Sequence, residues 1–283
     1  MIGQVYKAHS DKYLVKSNEG TFDLRARGIL KIKSSGISVG DFVQFEKDSV
    51  TKVLDRKNHF IRPNVSNVDL IVCVVSPEPK PDYYLVDKLL ISAIKENVEF
   101  IIVVNKEDVD SSLVEEIKKE YEKLDIEIYS VCAKTKQGVD EIRKKLDGKL
   151  SVLAGQSAVG KTSLINAMFN LNQKTGDLSE KTLRGRHTTT RSEIFEFENI
   201  KLIDSPGFAV IEANININEL PEYYPEYFAV ASECKFRGCS HINEPQCKVK
   251  ELVAEGKLSN TRYQRYKEIY EEISKRRESY EKD

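Results

Sequence analysis

The chain has 283 residues, room for two or three domains rather than one. Its 44 Lys+Arg nearly cancel its 45 Asp+Glu, which excludes a globally basic protein that coats polyanions, and 40% hydrophobic residues support packed cores. No apolar run reaches the roughly 18 residues of a membrane span, and the opening "MIGQVYKAHSDKY" lacks a secretory pattern, so a cytoplasmic protein with no membrane partner is expected. In that compartment the five cysteines are not expected to form structural disulfides.

Residues 1–61 read as a small β-barrel. The segments "GQVYKAH", "KYLVKS", "TFDLRAR", "DFVQFEK" and "SVTKVLD" alternate apolar and polar side chains, and "SNEG" and "KSSGISVGD" between them are rich in turn formers. About five short strands in this length suit a Greek-key barrel of the oligonucleotide-binding type, the OB-fold. The segment holds 11 Lys+Arg against 7 Asp+Glu, a local positive excess that fits an RNA-binding module.

Residues 62–212 change pattern. "VDLIVCVVS" is a continuous apolar run, as in a strand buried on both faces. The helical stretch "YYLVDKLLISAIKEN" comes next, then strand "FIIVVN", helix "SLVEEIKKEYEKL", strand "IEIYSVCA", helix "VDEIRKKL" and strand "KLSVLAG". Such βαβα alternation predicts a doubly wound parallel sheet. "EIFEFEN" and "IKLIDS" then read as a hairpin pair of strands.

Three motifs sit at the C-terminal ends of these strands, where doubly wound sheets bind ligands. In "NKED", the Asp108 carboxylate can accept two hydrogen bonds from guanine N1 and N2. Adenine has no such donor pair and would leave this buried carboxylate unpaired. Asn105 can bind the N7 side and brace the loop, the Lys106 stem can lie along the base, and Glu107 completes the tetrapeptide. At "SVCAK", Cys132, Ala133 and Lys134 occupy the place where GTPases of this class carry Ser-Ala-Lys; backbone N–H groups there serve guanine O6, so a cysteine is tolerable. The stretch "GQSAVGKTS" spans Gly155, Gln156, Ser157, Ala158, Val159, Gly160, Lys161, Thr162 and Ser163 and matches G-x-x-x-x-G-K-[ST]. Its backbone N–H groups and the following helix N-terminus would cradle phosphates. Lys161 would reach the β- and γ-phosphates, and Thr162 would ligate Mg²⁺.

The basic stretch "RGRHTTTR" offers Thr189 or Thr190 as a further Mg²⁺ ligand, with the choice open. In "DSPGF", Asp204 would hold Mg²⁺ through water and the Gly207 N–H would meet the γ-phosphate. Phe208 stands where signalling GTPases place a water-orienting glutamine, so intrinsic hydrolysis should be slow. His187 is the candidate that orients the water; a solvated loop histidine is the alternative. Lys181, Arg184, Arg186 and Arg191 either meet RNA phosphates or keep this loop soluble.

Residues 213–283 hold the knot "CKFRGCSHINEPQC". Cys234, Cys239, His241 and Cys247 supply a closed Cys₃His set for one structural Zn²⁺, with no place left for a reactive water. Cys73 and Cys132 lie in strand patterns and read as small core residues. "NTRYQRYKEIYEEISKRRESY" is an amphipathic helix whose Tyr263, Tyr266, Tyr270 and Ile273 should pack on the metal module, with Arg276 and Arg277 near its end.

The motifs run base, base, phosphate, threonine, aspartate, a circular permutation of the usual GTPase order. A compact domain tolerates new termini at its surface. The chain then leaves the G domain straight after "DSPGF", so movement there would act directly on the next stretch of chain. On "NKED", "GQSAVGKTS", "GRHTTT", "DSPGF" and the Cys-His cluster, in that order, the sequence resembles the ribosome small-subunit-dependent GTPase A family of bacteria over essentially its whole length. The resemblance implies an OB barrel, a permuted G domain and a zinc domain. It also implies GTP hydrolysis to GDP in late 30S maturation, contact with 16S rRNA, and stimulation by the subunit. A monomer is expected. Cys132 departs from the family pattern, as does Ala158, where a glycine is frequent.

Overall fold

The computed structural model describes residues 1–9, 11–26, 36–170, 192–204 and 214–280, with the side chains of 204 and 276–280 left aside. Strands Ile2–His9 (β1), Lys12–Ser17 (β2), Gly20–Ala26 (β3), Phe42–Glu46 (β4) and Ser49–Val53 (β5) form the barrel. Period-two alternation does the sorting: β4 buries Val43 and Phe45 and exposes Phe42, Gln44 and Glu46. The inward set, Val5, Val15, Leu24, Val43, Phe45 and Val50, is one apolar cluster. β1 pairs with both β2 and β4, β3 lies parallel to β5, and β5 returns to β4, which closes the ring.

A hairpin comes next, His59–Ile61 (β6) with Asn64–Ser66 (β7). Its Phe60 and Val65 are fully buried and join Ile71, Leu89 and Ile102 in a core that belongs to the following unit. That unit contains Leu70–Val75 (β8), Tyr83–Lys95 (α1), Glu99–Val104 (β9), Leu113–Glu120 (α2), Glu127–Ser130 (β10), Val139–Leu146 (α3), Leu150–Ala154 (β11), Lys161–Phe169 (α4), Glu193–Phe197 (β12) and Ile200–Asp204 (β13). The sheet order is β10-β9-β8-β11-β13-β12, parallel except for the β12–β13 hairpin. Every residue of β8 is buried, as its unbroken apolar run predicts, because helices cover both faces of the sheet.

The barrel is tied to this sheet at one edge. β12 bridges β1 at Glu193 and Lys7, giving one eleven-stranded sheet. Glu196 accepts from Tyr6 Oη at 3.0 Å and from Lys16 Nζ at 2.8 Å. On the other side, buried Asp41 receives Arg56 through two bonds of 2.7 Å and the Ser66 hydroxyl at 2.5 Å. These bonds span barrel, linker and hairpin.

The C-terminal region has the short helix Pro225–Phe228 (α5), Lys248–Ala254 (α6) and the long Asn260–Tyr280 (α7). Tyr224, Tyr227 and Tyr266 fill its interior. The Tyr224 and Tyr227 rings stack at 5.1 Å, and Tyr266 meets Tyr224 edge-on at 4.9 Å. Tyr263 is buried there too, with Tyr270 and Ile273 packed beside it, so the helix lies against the metal knot as its spacing predicts. No helix among the described residues is long and apolar enough to cross a membrane.

Candidate functional site

The strand β11 delivers the chain into the phosphate loop through Gly155. Its φ of +133° and the Val74 carbonyl, 2.2 Å from where a Cβ would stand, leave room for glycine alone. The loop ends at Gly160, φ +94°, where a Cβ would lie 2.3 Å from Asn105 Nδ2. That absent side chain lets Asn105 in. Asn105 is 2% exposed; its Nδ2 donates to Val159 O at 2.9 Å, and its Oδ1 accepts from Ala133 N at 3.1 Å. One side chain therefore joins "NKED", "CAK" and the phosphate loop. The backbone N–H of Asn105 is itself held by Val75 O at 2.8 Å, so β8 sets its height.

Lys106, φ +65°, donates from Nζ to Ala158 O at 2.9 Å and to Glu78 O, closing the same loop from above. Lys161 opens α4 and folds into the loop's curve, donating to Gly155 O and Gln156 O at 2.6 Å each. Burial lowers its pKa, and an anion in the cradle would reverse that effect. Thr162 and Ser163 share its first turn, where backbone N–H groups have no helical partner and the helix dipole is positive. Gln156 turns away, its Oε1 accepting from Asp82 N at 2.9 Å, while Ser157 and Ala158 are exposed on the rim.

Asp108 reads as a buried carboxylate in sequence, but the structure leaves it exposed. Its Oδ1 accepts from the Cys132 thiol at 3.3 Å. A base resting beside it would supply the burial. Cys132 thus acts in this turn through its thiol; its N–H is taken by Gln137 O at 3.0 Å and that of Ala133 by Asn105, so neither is the free donor to guanine O6 that the sequence suggests. Gln137 also reaches Glu107 Oε2 at 3.3 Å, while Lys134 is exposed at the edge. The loop from Gly155 curls around the Lys161 ammonium, and Asp108 presents an exposed carboxylate beside the turn at Cys132.

Ala158 pays for its place: its φ of +66° is left-handed, costing an L-residue about 1–2 kcal/mol. Ala158→Gly is expected to raise unfolding stability by about 1 kcal/mol, less whatever the glycine adds to unfolded-chain entropy. A denaturant midpoint measures this, and a lower midpoint would contradict it.

His187, Thr189, Thr190 and Gly207 lie outside the described residues, as do Phe208 and the basic residues Lys181, Arg184, Arg186 and Arg191. Asp204 ends β13 beside β11; its side chain, like those of Arg276 and Arg277, is not described.

In the C-terminal region, Cys234, Cys239, His241 and Cys247 bring their ligand atoms within 4.8 Å of one another. His241 Nδ1 is 3.3 Å from Cys247 Sγ and 3.7 Å from Cys234 Sγ, and the two sulfurs are 4.0 Å apart. A tetrahedron with Zn–S near 2.3 Å has edges of about 3.8 Å, so this donor set fits zinc. Burial pushes the Cys239 thiol up to about 12, so a cation is what would make it a thiolate at neutral pH. The ligand loop is braced at both ends. Tyr263 Oη donates to His241 O at 2.7 Å, and Glu244 accepts from Ser240 N at 2.8 Å and Ser240 Oγ at 2.7 Å. Burial opposes ionisation of Glu244, yet these donors hold its carboxyl down at about 2.

Comparison with known proteins gives the family. The family model described as RsgA GTPase matches residues 53–214, and that of the RsgA N-terminal domain matches residues 2–53. A relative from Geobacillus sp. (strain WCH70), "Small ribosomal subunit biogenesis GTPase RsgA", is 38% identical over 98% of this chain and 99% of its own. Among solved structures, YjeQ from Thermotoga maritima superposes with a TM-score of 0.79 at 34% identity, covering 96% of this chain and 98% of that one. YloQ, described as a circularly permuted GTPase, gives 0.75 at 29% identity, covering 97% and 95%. With one model matching more than half of the chain, residues 53–214, a second matching residues 2–53, and a relative this similar from end to end, the chain belongs to the RsgA GTPase family.

Proposed function

We propose that this protein is a GTP-hydrolysing switch that acts in late maturation of the 30S ribosomal subunit, binds its 16S rRNA, and is stimulated by the subunit. The observation that carries the reading is Asn105, which bonds the phosphate loop and the "CAK" turn at once and so draws three separated motifs around one pocket. Membership of a GTPase family supports the chemistry, and the relatives' names support the ribosomal subunit as partner. Labour is divided by domain: residues 1–61 as an RNA-binding barrel, 62–212 as the permuted G domain, 213–283 as the zinc module. The protein works as a cytoplasmic monomer.

Within the pocket Asp108 reads guanine, and Asn105 and the turn at Cys132, Ala133 and Lys134 frame it. The loop from Gly155 to Ser163 holds the phosphates. Thr162 binds Mg²⁺ together with one of Thr189 and Thr190, with Asp204 acting through water, and Gly207 meets the γ-phosphate. The zinc held by Cys234, Cys239, His241 and Cys247 is structural. The test is GTP turnover by purified protein with and without 30S subunits. Strong stimulation supports the switch; a flat, slow rate would instead leave a GTP-sensing scaffold.

His187 is proposed to orient the attacking water once the subunit orders its loop. His187→Ala should leave GTP affinity within about twofold but lower stimulated turnover about a hundredfold, the size of a lost general catalytic group. Undiminished stimulated turnover removes His187 from the mechanism.

A further inference from the structure

Helix α1 reaches both the phosphate loop and the zinc module. At its N-terminus Asp82 caps it, accepting from Leu85 N at 3.1 Å, and the Asp82 N–H donates to Gln156 Oε1 at 2.9 Å in the phosphate loop. One turn along, Asp87 is fully buried. It accepts from Tyr121 Oη at 2.9 Å, from Arg262 Nη1, and from Arg265 Nε at 2.5 Å. Both arginines belong to α7. Arg262 also donates to Glu226 at 2.5 Å and Arg265 to Glu120 at 2.6 Å. Beside them Lys88 of α1 pairs with Glu272 of α7 at 3.1 Å, and Tyr84 Oη donates to the same carboxylate.

Apolar packing alone is non-directional and would let two helices slide. Buried ions joined by several directed bonds fix one register, because any slip leaves a desolvated charge unpaired. α1 and α7 should therefore move as one body. Asp87 and Lys88 follow Asp82 by five and six residues, so at about 1.5 Å each the two attachments lie about 8–9 Å apart along α1. This path uses neither the segment after β13 nor the covalent link into the zinc module.

We propose that α1 is a strut coupling the phosphate loop to the zinc module: nucleotide binding that orders Gln156 tightens the hold of α1 on α7, and the zinc module in turn tightens nucleotide binding. The proposal rests on reading the loop from Gly155 as the nucleotide site. Coupling of this kind is reciprocal, and typical values are fivefold or more.

The test is hydrogen–deuterium exchange on the full-length zinc-loaded protein, alone, with GDP and with a non-hydrolysable GTP analogue. Peptides from residues 260–273 are compared with the barrel peptide 12–26, which registers the general stabilisation any ligand confers. Protection at 260–273 should rise about fivefold more than in the barrel. Arg265→Gln, which keeps the Arg262–Asp87 pair, should cut that excess to the barrel level and weaken GDP binding by the same factor. If Arg265→Gln does not fold, Glu272→Gln serves, with the same direction and a smaller size. Saturating GDP that protects 260–273 no more than the barrel overturns the strut while sparing the nucleotide site, and so does a wild-type excess in the folded variant. Failure of a fluorescent GDP analogue to bind at all overturns both.

Discussion

Asp108→Asn is expected to weaken GTP and GDP binding about a thousandfold and to improve binding of xanthosine nucleotides. Two hydrogen bonds from guanine N1 and N2 to a carboxylate are charge-assisted, about 1.5–3 kcal/mol each, and roughly 4 kcal/mol is three powers of ten. An amide in the same place turns a donor toward N1 and N2, whereas xanthine offers a carbonyl at that position and can accept from it. The geometry isolates this effect from folding. Asp108 is exposed, its one side-chain hydrogen-bond partner among the described residues is the Cys132 thiol at 3.3 Å, and the turn is fixed independently by Val109 N to Lys106 O at 2.9 Å. The melting temperature of nucleotide-free protein should therefore be unchanged. Titration with fluorescent guanosine and xanthosine diphosphates measures the switch. Undisturbed GDP affinity would mean that another group reads the base, and a concurrent gain in ATP affinity would point to a site that never selected guanine.

Local patterns carried far in this chain. The barrel strands are legible because one face of each is buried, and a segment such as Phe42–Glu46 must alternate. The central strands are legible for the opposite reason, both faces being covered. The candidate nucleotide motifs are legible because the Val74 carbonyl demands glycine at Gly155 and the Asn105 side chain demands it at Gly160, whatever the chain order. What escaped were pairings across long separations. Asp87 stands as the one acid in the otherwise apolar face of "YYLVDKLLISAIKEN", and that oddity is the signal, but nothing local says that its partners are Arg262 and Arg265, 175 and 178 positions on. Likewise α7 reads as a tyrosine-faced helix for the zinc module, and its arginine flank, turned to α1, has no periodic mark of its own. The hairpin β6–β7 is short enough to pass for linker; Phe60 and Val65 show their purpose only where the G-domain core receives them.

Removing the zinc proposed for the Cys234, Cys239, His241 and Cys247 set is expected to unfold the C-terminal module while the eleven-stranded sheet survives. The interior of the module packs tyrosines with Leu220, Val249, Leu258 and Ile269 around the ligand loop, and α5 and α6 have four and seven residues, too few to be stable helices alone. The loop's geometry depends on closure: Tyr263 and Tyr266 of α7 donate to the carbonyls of His241 and Ser240, so the long helix is anchored through the metal loop itself. Structural zinc supplies about 10 kcal/mol or more in small sites, comparable to the stability of a whole domain. Cys239→Ser, or a strong chelator, should release one zinc per chain, lower helical circular dichroism, and open residues 225–260 to limited proteolysis. Chelation should bite harder as pH falls, since protons compete for the thiolates and the imidazole. Resistance at 225–260 after complete zinc loss would show that tyrosine packing and the Asp87 cluster hold the module unaided. In that case zinc would be stabilising a fold already formed rather than closing it.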